Sequence, residues 1–182
     1  MKRILIVLMV LTMTACTQFE VAEVDPATGY FKASKEAVII TSKKIDLDSY
    51  KSLLLIPDQD FVKGQFESIE YFDELITRDD LETEIIKNNL QEEIPSVRDK
   101  IGLNKAYKNY KEFLWFRYDA RGTGNNEYGQ FILTNPGTLE DIFVAEIKLD
   151  RIGTGVNDQY TWYPLFNSVI KYIEENSATY RK

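Results

Sequence analysis

Three alternating apolar segments follow one another with only short turns between them, and this leaves the C-terminal half of the chain few ways to fold. Residues 113–119 place Phe113 and Trp115 on one face and Leu114, Phe116 and Tyr118 on the other. Gly122, Thr123, Gly124, Asn125 and Asn126 then form a turn, residues 128–133 a second strand, and Asn135-Pro136-Gly137 a second turn. Residues 142–149 make the third strand, with Phe143, Ala145, Ile147 and Leu149 on one face. A period of two is the pattern of a strand. Strands joined by turns this short pair antiparallel, because a parallel pair needs a crossover of a dozen residues or more. The expectation is a three-stranded meander.

The rest of the domain adds strands and helices around it. Residues 37–41 are short, β-branched and apolar, so they read as a strand. Residues 52–56 are a continuous apolar run stopped by Pro57, which suits a strand covered on both faces. Residues 57–69 allow a short helix carrying Phe61, Phe66 and Ile69, and residues 71–76 read as another strand. Thr77 offers an N-cap, with Asp79, Asp80 and Glu82 where the helix dipole favours negative charge. Leu81, Ile85 and Leu90 share a face of the helix that follows, Pro95 and Gly102 interrupt, and Leu103, Ala106, Tyr107 and Tyr110 have the spacing of a second helix. Pro164 begins a last helix over 163–176, with an apolar stripe of Leu165, Phe166, Val169, Ile170 and Ile173. The pattern is α+β: a mixed or antiparallel sheet with a C-terminal three-strand meander and two to three helices packed against it.

Two absences narrow the chemistry. The chain holds no histidine and one cysteine, so it cannot form an internal disulfide, a Ser-His-Asp or Cys-His catalytic group, or a histidine-based zinc site. Its formal net charge is −7. An acidic surface repels phosphate backbones, which argues against nucleic acid as a partner, and it repels anionic headgroups too.

The N-terminus carries an address. Met1-Lys2-Arg3 is a short basic region, and ten mostly apolar residues, 4–13, follow it. Ten is about half of the roughly 20 needed to cross a bilayer as a helix, and the order is that of an export signal. Met13-Thr14-Ala15-Cys16 then resembles a bacterial lipobox, with Met where Leu is usual. That resemblance implies removal of residues 1–15, lipidation of Cys16 and a membrane contact made through its acyl chains. Two or more such chains anchor stably where one does not. Thr17 after the cysteine, rather than Asp, implies the outer membrane. Residues 16–35, with Asp25-Pro26, Gly29 and scattered charges, read as a lipidated N-terminus and tether, and residues 36–182 as one domain.

Within that domain, Leu54-Leu55-Ile56-Pro57, Tyr71-Phe72-Asp73-Glu74-Leu75-Ile76 and Asp79-Asp80-Leu81 resemble small α/β domains of envelope lipoproteins: the N-terminal domain of TolB, and CsgG-like and LpoB-like proteins. The resemblance implies a scaffold or assembly role beside another envelope protein, and brings no functional motif with it.

Three groups of residues bear on a site. Asp58, Asp60, Glu67, Glu70, Asp73 and Glu74 read either as a solvated acidic surface or as the paired carboxylates of a glycosidase-type hydrolase. Gly122-Thr123-Gly124 and Gly153-Thr154-Gly155 lack the strand-to-helix context of a phosphate loop and read as turns. Because the first and third strands of a meander run the same way, the two loops belong at one end of the sheet. There Arg121, Asn125, Asn126, Arg151 and Asn157, with Trp162, form a candidate partner-binding rim. Finally, Tyr107, Tyr110, Trp115, Tyr118, Tyr128, Tyr160, Trp162 and Tyr163 read as packing residues or as a platform for carbohydrate. No cofactor, metal or catalytic motif is present in the sequence. The leading expectation is a non-catalytic envelope lipoprotein that binds a partner, with peptidoglycan binding and carboxylate-only hydrolysis as alternatives.

Overall fold

The computed structural model describes residues 21–149 and 158–180. Six strands form one mixed sheet: β1 (Val38–Ser42), β2 (Ser52–Leu55), β3 (Glu74–Ile76), β4 (Leu114–Arg121), β5 (Tyr128–Asn135) and β6 (Glu140–Lys148), in the order β1-β6-β5-β4-β2-β3. Among the described residues four helices accompany them: α1 (Asp60–Ile69), α2 (Arg78–Lys87), α3 (Lys100–Asn109) and α4 (Tyr163–Asn176). The expected meander is β4-β5-β6, antiparallel throughout. The parallel part is β2 with β3 on one side and β4 on the other, and the helices supply the crossovers that parallel pairing needs. The α+β reading therefore holds, with the mixed alternative realised.

The strand period decides which layer each side chain joins. Leu53 and Leu55 on β2, Leu114 and Phe116 on β4, Phe131 and Leu133 on β5 and Phe143, Ala145 and Ile147 on β6 face α1 and α4. Leu54 points the other way, to a smaller cluster with Leu81, Ile85, Leu103 and Ala106 of α2 and α3. All three β2 leucines are fully buried, as a strand covered on both faces requires. Phe166 of α4 sits at the centre of the larger layer, edge-on to Phe31, Phe61, Phe66 and Phe131.

Several expectations need correction. The strand expected over 71–76 shortens to Glu74–Ile76, because Tyr71 and Phe72 turn into the core, meeting each other and, for Tyr71, Tyr180. Glu70, in the left-handed region at φ 56°, makes that turn. Leu90 lies beyond the end of α2. Thr77 caps α2 as expected, and its hydroxyl accepts from the Asp80 amide while the Asp80 carboxylate accepts from the Thr77 amide, a reciprocal box.

Gly102 does not interrupt a helix; it belongs to the first turn of α3, where its amide donates to the Asp99 carboxylate at 2.8 Å. A Cβ at this position would lie 1.9 Å from the Ser96 carbonyl oxygen. Alanine normally gains about 1 kcal/mol over glycine inside a helix, but here overpacking against backbone should reverse the sign. Gly102→Ala is expected to cost about 1–3 kcal/mol. Urea denaturation measures it, and a gain in stability would contradict the packing.

The supposed tether is largely docked. Phe31 is buried and stacked on Tyr163, with ring centroids 5.4 Å apart. Its amide donates to the Asn167 side chain and its carbonyl accepts from the same amide group, both at 2.8 Å. The Tyr30 hydroxyl donates to Glu174 at 2.5 Å; that bond, with some burial, pushes the phenol up to about 12. Ala22, Val24 and Ala33 pack on the same core. The domain therefore begins before residue 36, because aromatic side chains in the segment find a place on α4.

The C-terminal tail closes on a single carboxylate. Asp48 accepts from the hydroxyls of Ser177 (2.5 Å) and Thr179 (2.6 Å), from the amides of Ala178 and Thr179, and from Lys51 and Tyr71. The Ser177 and Thr179 hydrogen bonds hold its carboxyl well below the usual carboxylate range, against opposing desolvation. A depressed carboxylate stabilises the fold above its unfolded value, about 3.9, and that contribution fades as pH falls towards the folded value. Asp48→Asn should therefore lower the thermal midpoint at neutral pH, and the gap from the parent should shrink as pH drops below about 4. A pH-independent gap would contradict this latch.

Candidate interaction surface

On β4, alternate positions Trp115, Arg117, Asp119 and Arg121 project to the face away from α1 and α4. The helix-packed cluster on this face reaches Trp115; beyond it Arg117, Asp119 and Arg121 stand beside Ile132 and Val144, which lie in register with Arg117 on β5 and β6. Arg117 grips Asp141 with its Nη2 at 3.2 and 3.0 Å, gives Nη1 to Thr134 Oγ1 at 3.0 Å, and lies over the Trp115 ring at 5.0 Å. Arg121 grips Glu146 through Nε at 2.7 Å and Nη2 at 2.6 Å, and lies over Tyr128 at 4.4 Å. Gln130 donates to the same Glu146 carboxylate at 2.9 Å. Each arginine thus reaches from β4 across β5 to β6.

The geometry suits bracing. A planar guanidinium matches a carboxylate in two parallel bonds, and an aromatic face beneath it fixes the fork. The Glu146 side chain is only 7% exposed, and its carboxyl is held below the ordinary range mainly by the Arg121 hydrogen bonds, with burial working against them. These groups hold three strands in register. Their charges are already matched, so they supply neither a nucleophile nor an uncommitted proton donor.

The structure brings part of the expected rim together. Arg121 pairs with Tyr128, and Tyr128 pairs with Lys148, so β4 and β6 do end at the same end of the sheet. Residues 121–126 are all exposed, with Asn125 and Asn126 in a 3-10 turn, Gly124–Asn126. Gly122 is required there: its φ is +82°, and a Cβ would lie 2.0 Å from the Asn126 carbonyl oxygen. Arg151 and Asn157, with the second glycine loop, lie outside the described residues, as does Cys16.

Trp162 does not join the rim. It stands in a π turn, Asp158–Trp162, that runs straight into α4. This directs the indole into the layer between helix and sheet, against Phe61, Tyr118 and Phe131 at 5.5–5.9 Å. Arg121 is on the opposite face of the sheet. Tyr118 and Tyr163 join the same layer as Trp162, while Tyr107 and Tyr110 pack on the second cluster. These rings are used in packing and form no common exposed platform.

The acidic candidates Asp58, Asp60, Glu67, Glu70, Asp73 and Glu74 are exposed. Glu74 is bound to Lys111 at 2.5 Å and to Ser52 at 2.9 Å. Glu67 and Glu70 join Glu23 and Asp25 along an open cleft of about 940 Å³ between the N-terminal segment, the end of α1 and the C-terminal tail. Among the described residues no three carboxylates are placed to share a metal ion.

Sequence reasoning missed the condition of β1. Residues 37–41 read as an apolar strand, with nothing in their pattern to say whether it lies inside the sheet or at its edge. In the fold Val38, Ile39 and Ile40 are 60%, 43% and 53% exposed. Among the described residues β1 pairs only with β6, so its other side is a sheet edge.

Fold and surface together define an acidic α+β domain with a braced meander and one apolar free edge. No family model matches the chain, and neither does any curated protein or solved structure.

Proposed function

We propose that this protein is a non-catalytic lipoprotein of the bacterial outer membrane, anchored through Cys16, whose periplasm-facing domain binds or assembles with another envelope component. The observation that carries this reading is the ordered leader: a basic start, ten mostly apolar residues and Met13-Thr14-Ala15-Cys16. The docked segment around Phe31 supports a close-held arrangement. With Ala22 already packed on the core, the stretch from Cys16 to Val21 spans at most about 20 Å even when fully extended. A domain on so short a connection stays beside the bilayer and meets partners there. The acidic composition supports a lipid anchor in place of a basic membrane-binding face.

Fractionation of cells expressing the full chain tests both parts. The parent should pellet with membranes and need detergent for release, while Cys16→Ala should move almost wholly to the soluble fraction. Crosslinking in intact cells followed by isolation of the parent should return the same envelope protein repeatedly. Unchanged pelleting of Cys16→Ala would refute the anchor, and repeated isolation without any partner would refute the binding role.

A further inference from the structure

The two edges of the sheet are treated differently. β3 is three residues long, and its Glu74 is tied to Lys111 and Ser52; short, charged edges resist pairing with other chains. β1 is longer, carries three exposed β-branched apolar side chains and has no strand on its outer side among the described residues. A groove of about 430 Å³ runs beside it, lined by Lys35, Glu36, Ala37, Ile39, Pro164 and Lys171. The register with β6 shifts between Ile39 and Thr41, so an added strand would pair in two short stretches, Val38–Ile39 and Thr41–Ser42, with the groove beside them to take its side chains.

The charge around this edge runs against the rest of the molecule. The chain is −7 overall, yet residues 32–44 hold Lys32, Lys35, Lys43 and Lys44 against one acid, Glu36. Lys43 is paired with Glu140 at 3.2 Å, which leaves Lys32 and Lys35 before the apolar Val-Ile-Ile centre and Lys44 after it. Self-pairing would bring lysines against lysines, and like charges opposed across strands destabilise. A lipid surface would cover the apolar side chains but leave the outer N–H and C=O groups of β1 without partners, which is costly in hydrocarbon. The occupant that satisfies backbone, apolar centre and cationic ends together is an extended segment of another protein.

We infer that the free edge of β1 accepts, by strand addition, an extended peptide with a β-branched or aromatic centre and acidic flanks. Main-chain hydrogen bonds along β1 supply affinity, and the groove and lysines supply selectivity. The inference takes from the preceding reading only that the domain has a protein partner; it does not require the lipid on Cys16.

An array of random dodecapeptides probed with the full chain in detergent is the test. Bound sequences should be enriched in Val, Ile, Thr, Tyr or Phe centrally and in Asp or Glu at the flanks. The best peptide should slow amide exchange of residues 38–42. Val38→Lys/Ile40→Lys should reduce its binding by at least about ten-fold, and Lys35→Glu/Lys44→Glu should weaken acidic-flanked peptides while favouring basic-flanked ones. The Cys16→Ala protein should give the same array result, so loss of the anchor and loss of the edge are told apart. No enrichment, enrichment without flanking acids, binding that leaves the amides of 38–42 unprotected, or self-association through β1 would overturn the inference.

Discussion

Phe166→Ala should destabilise the domain by about 3–5 kcal/mol, the cost of removing a fully packed phenylalanine. Phe166 has no exposed surface, and its ring meets Phe31, Phe61, Phe66 and Phe131 edge-on at centroid distances of 4.8–6.2 Å. These partners come from the N-terminal segment, α1 and β5, so no single neighbour can move in to fill the space. The loss includes both transfer of the ring out of an apolar site and the cavity left behind. Guanidinium denaturation should show a lower midpoint with the transition still cooperative. A change below about 1 kcal/mol would mean that the layer repacks and that the ring cluster is not the keystone of the fold.

Phe31→Ala removes a ring from the same cluster with a different expected outcome. Phe31 belongs to a segment that leads into the domain, and it is held by stacking on Tyr163 and the reciprocal Asn167 bonds. Truncation should cost about 3 kcal/mol or more of docking, and a segment near a chain end can detach without unfolding the sheet. Amide exchange across residues 24–33 should rise by roughly 100-fold, since about 1.4 kcal/mol is one factor of ten. The strands β4, β5 and β6 should keep their protection. Equal acceleration across sheet and segment would show that docking and global folding are one event. Detachment would also open the cleft of about 940 Å³, one wall of which is the segment from Val21 to Gly29.

Much of the fold is legible in the residues, and the exceptions have physical causes. The meander follows from period-two alternation and short turns, the α2 cap from Thr77 and Asp80, and α4 from Pro164 and its apolar stripe, all of them local signals. What the sequence does not reveal depends on neighbours distant in the chain. Phe31 looks like part of a linker until α4 offers Asn167 and Tyr163. Tyr71 and Phe72 look like strand residues until the tail brings Tyr180. Gly102 looks like a breaker until the Ser96 carbonyl is seen against it.

The candidate surface divides in the same way. Placing Arg121 and residues 122–126 at the end of the sheet followed from topology, whereas the brace between Arg121 and Glu146 did not. The alternation of Arg117, Asp119 and Arg121 on one strand, opposite Glu146 on another, is the signal that could have found it; Asp141 reaches the same face only through the register shift between Leu133 and Thr134. The expectation of Trp162 on the rim fails because its direction depends on the turn that joins it to α4. The exposure of β1 was hidden because an apolar strand reads alike at an edge and in an interior.

We propose that the mature molecule begins at a lipid-bearing Cys16, and intact-mass spectrometry of the native, detergent-extracted protein tests this most directly. The expected mass is that of residues 16–182 plus a diacylglyceryl group and an amide-linked acyl chain, with fragments placing the added mass on Cys16. A mass that retains Met1, or one with an unmodified Cys16 thiol, would contradict it.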